Sequence, residues 1–190
     1  MMAKELIEMK ISIDGIEPEI WREFIVDSSI SLDDFHGIIQ VVMGWENCHL
    51  YGFYINGVEY IPAGDDCEQD AEDTKGVKLN KLKLEKNTKI RYTYDFGDSW
   101  EHTIKIVKIY KPEEELLTPV CIDGARNCPP EDCGSVPGYE DILKAIKKPT
   151  SKAAKELIEW LGYEYNPEEF DIDKINKTLQ PKKAKKKKSE

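Results

Sequence analysis

Apolar and polar residues alternate along several stretches of the chain, and this period of two predicts β-strands. The first stretch covers residues 7–13 and the second surrounds residues 20–26. Alternation returns over residues 51–55, and the Asn-Gly pair that follows predicts a tight hairpin. The return strand of that hairpin is expected over residues 58–61.

Two further strand predictions lie in the middle of the chain. The leucines at 82 and 84 indicate a short strand. Ile90, Tyr92 and Tyr94 alternate with polar residues, and we expect them to pair with Ile104 and Ile106. The nine residues between these runs are then a loop of unusual composition.

A different period, near 3.6 residues, predicts the first helix. Ser31 is suited to the N-cap position and Asp34 to its capping-box partner, while Gly44 is suited to end the helix. The apolar residues of this segment fall on one face: Leu32, Phe35, Ile38, Ile39, Val42 and Met43. His36 falls on the polar side, and we expect it to be solvated.

Helical patterns dominate the last third of the chain. They predict helices over residues 139–146 and 151–161, the second stopped by Gly162, and a last helix from Asn166-Pro167 to Leu179. Strands first and helices afterwards are typical of an α+β fold. We therefore expect an antiparallel or mixed sheet packed against about four helices, as a single domain over residues 1–180.

Charge is unevenly distributed along the 190 residues. The formal net charge is −10, but the last ten residues hold six lysines and one acid, so residues 1–180 carry −15. A body this acidic repels phosphate backbones, so nucleic acid is an unlikely partner except through the basic tail. Residues 181–190 are predicted to be a disordered lysine-rich tail.

No apolar run is long enough to cross a bilayer, so no membrane association is expected. The first residues reach charged side chains before a signal-like apolar stretch forms, which predicts a cytoplasmic chain. Five cysteines are an odd number for such a chain. This argues against a disulfide framework and favours buried thiols, metal ligands or a reactive thiol.

The loop over residues 95–102 carries three carboxylates, two aromatic rings and a histidine. Gly97 is suited to a positive φ, and Asp95 and Asp98 can cap their own backbone. One interpretation is a tight turn whose Trp100 fills the core. The other is a site in which Asp98, Glu101 and His102 converge beside an aromatic wall.

Three thiols follow within thirteen residues, at Cys121, Cys128 and Cys133, in a segment rich in proline and glycine. Their spacing lacks the C-x2-C unit of ordinary zinc sites. Buried reduced thiols and redox chemistry are two interpretations. A zinc site is the third, with His49, His102 or Asp132 as the fourth ligand.

Two other segments invite a chemical interpretation. Cys48 precedes His49, but neighbours in an extended strand face opposite sides, so cooperation of this pair is not expected. The acidic residues of the loop at 65–73 resemble the start of a calcium-binding EF-hand. Ala71 and Val77 occupy the positions of its glycine and its bidentate glutamate, which excludes that site.

Five motifs occur together in one order: PxIWR at 18–22, MGW at 43–45, HL at 49–50, YDFGDxWEH at 94–102 and CPPEDCG at 128–134. In these motifs the chain resembles the plasmid pRiA4b ORF-3-like family, also called MM3350-like, over roughly residues 5–180. The resemblance implies no defined activity, and a resolvase-like label used for some members finds no support in these residues. Members often have a second histidine at the position of Tyr51 and a second glycine at that of Ser135. If the members bind metal through a histidine pair, this chain lacks one ligand.

The sequence thus favours a cytosolic binding or interaction module with an unknown ligand or protein partner. Its site is predicted at the 95–102 and 121–133 loops, with these candidates for ligand binding: Trp21, Arg22, Trp45, Asp95, Asp98, Trp100, Glu101, His102, Glu131 and Asp132. The candidates for metal binding are His49, His102, Cys121, Cys128 and Cys133, with zinc the one candidate cofactor. The alternatives are a metal-dependent or thiol enzyme and, last, a nucleic-acid-associated protein.

Overall fold

Eight strands form one mixed sheet in the computed structural model, which describes residues 5–64 and 71–180. The strands are β1 (Leu6–Ile13), β2 (Trp21–Asp27), β3 (Tyr51–Ile55), β4 (Val58–Ile61), β5 (Glu72–Asp73), β6 (Lys89–Tyr94), β7 (Trp100–Tyr110) and β8 (Val120–Ala125). Their order across the sheet is β5-β4-β3-β6-β7-β1-β2-β8. Only the β4–β5 pair is parallel.

Four α-helices accompany the sheet within the described ranges: α1 (Leu32–Met43), α2 (Ser135–Ile146), α3 (Lys152–Leu161) and α4 (Ile172–Leu179). The predicted α+β architecture is therefore confirmed. None of these helices is long and apolar enough to cross a membrane. The predicted lysine-rich tail lies outside the described residues, as do Cys67 and most of the acidic loop around it.

The first helix, α1, forms as its sequence pattern predicts. The Ser31 hydroxyl accepts from the Asp34 backbone N–H, the Asp34 carboxylate accepts from the Ser31 N–H, and Gly44 ends the helix with a φ of 104°. The apolar face then packs on the sheet, where the Phe35 ring stacks on Phe53 of β3 with centroids 5.5 Å apart. Capping and burial together thus fix the position of the C-terminal end of α1, from which the α1–β3 loop starts.

The predicted hairpin of β6 and β7 is also confirmed, with Ile90 opposite Ile104 and Tyr94 opposite Trp100. Asp95 closes it, because its Oδ1 accepts from the backbone N–H groups of Gly97 and Asp98. The left-handed φ angles fall on Asp95 (55°) and Ser99 (54°), and not on Gly97 as the sequence suggested. The left-handed residues therefore lie two positions to either side of Gly97.

Three local predictions are wrong. The segment near Leu82 contains a 3-10 turn, Leu79–Lys81, in place of a strand. The last helix begins at Ile172 with Asp171 as its N-cap, because residues 166–169 close a separate turn in which Glu169 N–H donates to Asn166 O. The start of the 121–133 segment is not a loop, since it forms strand β8.

The outer edge of β8 is covered by α4. The side-chain amide of Asn176 accepts from Cys121 N–H at 2.8 Å and donates to Cys121 O at 2.9 Å. Phe170, two residues before α4, also packs on β8. It does so at Gly124, where a Cβ would lie 2.7 Å from the Phe170 ring. A glycine is required where Phe170 approaches the strand this closely.

Candidate metal centre

Three loops meet at the end of the β6–β7 hairpin, and each is bonded to another. The α1–β3 loop and the hairpin loop are joined where Asp95 N–H donates to Leu50 O at 2.9 Å. The α1–β3 loop and the β8–α2 loop are joined where Glu46 N–H donates to Glu131 Oε1 at 2.7 Å. Asp98 Oδ2 completes the set by accepting from Gly134 N–H at 2.9 Å.

One histidine and three carboxylates occupy the centre of this junction. His49 Nε2 lies 3.2 Å from Asp132 Oδ1 and 3.7 Å from both Asp95 Oδ2 and Glu131 Oε2. Each of the three loops supplies at least one of these groups. The side chains of Asp95 and Glu131 are 11% and 13% exposed, whereas that of Asp132 is 70% exposed. The cluster is therefore closed on the inside and open on the Asp132 side.

Glu131 is held by one of its two oxygens. Its Oε1 accepts from Glu46 N–H and from the Tyr94 hydroxyl at 3.0 Å. Burial raises the pKa of Tyr94, and the neighbouring Glu131 carboxylate raises that pKa further, so the phenol stays protonated and donates. The second oxygen, Oε2, is buried and has no hydrogen-bond partner among the described residues, yet it faces His49.

Asp95 repeats this arrangement. Its Oδ1 accepts from its own turn, which leaves Oδ2 facing His49. His49 Nε2 is likewise a buried atom without a hydrogen-bond partner in the described part of the chain. Two carboxylates are thus each oriented by one satisfied oxygen, and their other oxygens surround a nitrogen that lacks a partner.

The β8–α2 loop reaches this junction in a strained shape. Asp132 has a φ of 54° and Ser135 a φ of 62°, both in the left-handed region. The loop also packs on Gly138, where a Cβ would lie 1.7 Å from Cys133 O. Strain that the surrounding structure holds in place often accompanies functional sites. A left-handed φ at Ser135 suits the glycine that the resemblance suggested for this position.

His102, a predicted ligand of the site, is part of the core instead. Its side chain is fully buried, its Nδ1–H donates to Trp100 O at 2.8 Å, and its Nε2 accepts from Trp45 Nε1–H at 3.3 Å. Burial lowers the pKa of His102 to about 4, so the ring is neutral with both nitrogens engaged. It is not available to a metal in this arrangement.

The thiols of the zinc hypothesis do not converge. Cys121 lies on β8 and Cys128 follows it, both buried, while Cys133 is half-buried. Two groups of three metal-ligating side chains have ligand atoms within 4.8 Å of one another among the described residues, namely Cys48, His49 and Glu131, and His49, Asp95 and Asp132. Neither group contains His102 or a thiol from the 121–133 segment. Of the predicted metal ligands, His49 and Asp132 lie in the cluster.

The predicted aromatic walls are only partly assembled. The Trp45 ring packs against Tyr94 and Trp100, with centroids 5.1 and 5.5 Å apart, and forms the floor beneath the cluster. Trp21 lies elsewhere, with the Lys10 ammonium 4.6 Å above its ring. Glu101 is also outside the cluster, since it accepts from the Thr93 hydroxyl.

Arg22 is buried and has a structural role. Its guanidinium donates to the backbone oxygens of four residues: Trp21, Val42, Ala125 and Arg126. One of these acceptors, Val42 O, belongs to the last turn of α1, whose dipole favours a cation. The side chain joins α1, β2 and the end of β8, and it does not reach the carboxylate cluster.

Sequence reasoning missed Cys48 and misjudged His36. The strand begins at Tyr51, so residues 48–50 lie in the loop before it, where Cys48 and His49 approach the same carboxylate, Glu131. His36 is buried, stacks on Tyr51 at 3.4 Å and donates through Nε2–H to Asn47 Oδ1 at 2.7 Å. Its Nδ1 accepts from the Tyr92 hydroxyl, so it positions the loop from within α1. The only sequence signal for the burial of His36 was its position one turn into a helix whose apolar face is buried.

Three loops of one α+β sheet, joined around a histidine–carboxylate cluster, define the fold and its candidate site. The profile of the plasmid pRiA4b ORF-3-like protein family matches residues 5–174, and the chain belongs to that family. It is 31% identical over 180 residues to the uncharacterized protein y4hQ of Sinorhizobium fredii, covering 94% of this chain and 92% of that protein.

The fold is similar to the crystal structure of MM3350 from Methanosarcina mazei Go1, a protein of unknown function. The TM-score is 0.81 at 33% identity, with 90% of this chain and 98% of that chain covered. At Tyr51, where the resemblance suggested a second histidine, the hydroxyl donates to Asp33 Oδ1 at 3.1 Å. The cluster described above is complete without a ligand from that position.

Proposed function

We propose that the chain is a binding module for a divalent transition metal of the zinc class, in which His49 is shared by two groups of candidate ligands, Glu131 on one side and Asp95 with Asp132 on the other. One observation carries the proposal. His49 Nε2 and Glu131 Oε2 are buried, face each other at 3.7 Å and have no hydrogen-bond partner among the described residues. Such atoms cost free energy unless something binds between them.

The spacing of the ligand atoms supports a metal. Two ligands bound at about 2.0 Å to one tetrahedral zinc ion are roughly 3.3 Å apart. The three distances from His49 Nε2 to carboxylate oxygens lie between 3.2 and 3.7 Å. Imidazole and carboxylate ligands suit zinc, and also manganese and iron, whereas an all-oxygen set would suit calcium or magnesium.

The hydrogen bonds around the ligands support the same conclusion. A ligating carboxylate is typically oriented by donors to its other oxygen, as Tyr94 and Glu46 do for Glu131. The charge of the cluster also favours a bound cation, since three carboxylates around one imidazole repel one another. Four unpaired cysteines in the described residues suit a reducing, cytoplasmic setting for this module.

The test uses untagged protein, because a histidine tag binds metals itself. Titration calorimetry with Zn²⁺ is expected to give one site in the wild type, which His49→Ala and Glu131→Gln abolish or weaken at least a hundredfold. Glu101→Gln is the matched control, since Glu101 lies in the same hairpin but outside the cluster. Absence of a site in the wild type, or equal weakening by Glu101→Gln, contradicts the proposal.

A metal-dependent hydrolase is a second candidate, favoured by the exposure of the site. Asp132 is 70% exposed, so the ion would keep a position open to water, as catalytic zinc sites do. The assay is hydrolysis of p-nitrophenyl ester and phosphate substrates by zinc-loaded protein. Turnover that survives Glu131→Gln excludes this candidate and leaves metal binding untouched.

A further inference from the structure

Cys48 lies at the edge of the carboxylate cluster. Its sulfur is within 4.8 Å of ligand atoms of His49 and Glu131, and it lies 3.7 Å from the Tyr94 hydroxyl. The backbone N–H of Cys48 donates to the same hydroxyl at 3.1 Å. Tyr94 therefore holds Cys48 and Glu131 side by side.

The loop that carries Cys48 is fixed from α1. Asn47 has a left-handed φ of 56°, its N–H donates to Gln40 Oε1 and its Oδ1 accepts from His36. Both partners are buried side chains of α1. These contacts with α1 therefore set the direction in which Cys48 presents its thiol.

Cys48 differs from the other described cysteines in its surroundings. Burial raises the pKa of Cys121 to about 11 and that of Cys133 to about 12, and it raises the pKa of Cys128 as well. Those three thiols stay protonated, and a protonated buried thiol is inert. Cys48 is the one exposed thiol in the described part of the chain.

We propose that Cys48 supplies a thiolate ligand to the metal and that oxidation of this thiolate by a peroxide releases the ion. The inference rests on the proposed function. Binding of the cation displaces the thiol proton to solvent, and the sulfur, which lies with His49 and Glu131 in one group of ligand atoms, then binds the ion.

In the release step the sulfur lone pair attacks one peroxide oxygen, so that an S–O bond forms and the O–O bond breaks. The sulfur is oxidised by two electrons to a sulfenic acid. Hydrogen peroxide is reduced: one of its OH groups becomes the sulfenic acid hydroxyl, and the other leaves as hydroxide. The metal loses an anionic sulfur ligand and with it part of its affinity.

Cobalt is the probe for the first half of the proposal, because Co²⁺ bound to a thiolate shows a sulfur-to-metal charge-transfer absorption. We expect this band in Co²⁺-loaded wild type and its loss in Cys48→Ser, which binds Co²⁺ at least about tenfold more weakly. Cys133→Ser is the matched control and keeps the band. Circular dichroism verifies that both variants are folded.

Hydrogen peroxide added to zinc-loaded protein tests the second half. A colorimetric zinc indicator is expected to report release from the wild type but not from Cys48→Ser, with one oxygen added to the Cys48 peptide by mass spectrometry. Cobalt binding without a charge-transfer band overturns the role of Cys48 while metal binding stands. Charge transfer without peroxide-driven release overturns the oxidation step, and a wild type that binds neither metal overturns both proposals.

Discussion

His49 and His102 lie in two neighbouring regions of opposite character, linked through Tyr94 and Trp45. Around His102 every ring nitrogen has a partner, and the neighbours are aromatic rings and backbone carbonyls. Around His49 the neighbours are carboxylates, and Nε2 has no hydrogen-bond partner among the described residues. A histidine satisfied in every direction stabilises a fold, whereas one facing unpaired charges has its chemistry still available.

The two regions also share a boundary. Trp45 donates to His102 on one side and packs against Tyr94 on the other, and Tyr94 donates to Glu131. The aromatic cluster of Trp45, Tyr94, Trp100 and His102 is therefore the rigid base on which the carboxylate cluster is held. Stability and binding should respond separately to mutations on the two sides of this boundary.

The largest effect is expected in the aromatic cluster. Trp100 is 1% exposed, so Trp100→Ala should lower the free energy of unfolding by about 3–5 kcal/mol. Phe96, four residues earlier, is 44% exposed, and Phe96→Ala should cost less than about 1 kcal/mol. Urea unfolding of both variants measures the difference. Similar costs would show that the hairpin loop is buried as a whole, against the structure.

The next effect is a loss of stability in acid caused by His102. Its pKa is about 4 in the folded state against 6.5 ordinarily, so above pH 6.5 the ring is neutral in both states. Between pH 6.5 and 4 only the unfolded chain takes up the proton. The free energy of unfolding therefore falls by about 1.4 kcal/mol per pH unit, or roughly 3 kcal/mol in all.

This effect is measured by urea unfolding between pH 7 and pH 4.5, with a chelator present to exclude metal. The matched variant is His102→Gln, which keeps a hydrogen-bonding side chain but does not titrate. Its stability should fall less steeply with acid than that of the wild type. Parallel curves would mean that His102 is accessible to protons in the folded protein.

Metal binding should give the third effect, on the other side of the boundary. Zinc at a hundred times its dissociation constant stabilises a one-site protein by about 2.7 kcal/mol. We expect a corresponding rise in Tm for the wild type, reversed by a chelator, and no rise for Glu131→Gln. The control His102→Gln should keep the zinc-dependent rise from its lower starting Tm. Loss of the zinc-dependent rise in His102→Gln would show that zinc binding also depends on the region around His102.

The smallest effect is expected at the boundary itself. Tyr94→Phe removes the donor to Glu131 Oε1, so zinc should bind about tenfold more weakly, a difference of about 1.4 kcal/mol. Calorimetry measures the affinity, with Tyr54→Phe on the exposed side of β3 as the control. Unchanged affinity in Tyr94→Phe would mean that Glu46 N–H alone orients the carboxylate.

Elements with strong local signals could be predicted from the sequence. The capping pair Ser31 and Asp34 and the alternation over β6 and β7 act within a few residues, so they predict α1 and the hairpin correctly. Two of the three loops that meet at the candidate site, those over 95–102 and 121–133, were predicted to form a site, and that role stays a prediction. Which groups converge there could not be predicted, because it depends on hydrogen bonds between loops far apart in sequence, such as Glu46 to Glu131.

The errors have a common physical cause. His36 was assigned to solvent from its helical position alone, but Tyr51 and Tyr92 cover it from the sheet. Cys48 was set apart from His49 by assuming an extended backbone three residues before β3 begins. In both cases tertiary contacts outweighed a local geometric rule.

Asn176, which bonds both backbone groups of Cys121, has a consequence for how copies of the chain can meet. A free sheet edge offers donors and acceptors to another strand and so invites aggregation. Here the amide side chain takes the place of the missing neighbour at Cys121. The opposite edge of the sheet, β5, is two residues long, too short to template a ninth strand. Within the described residues, both edges of the sheet are therefore poor templates for a strand of another copy.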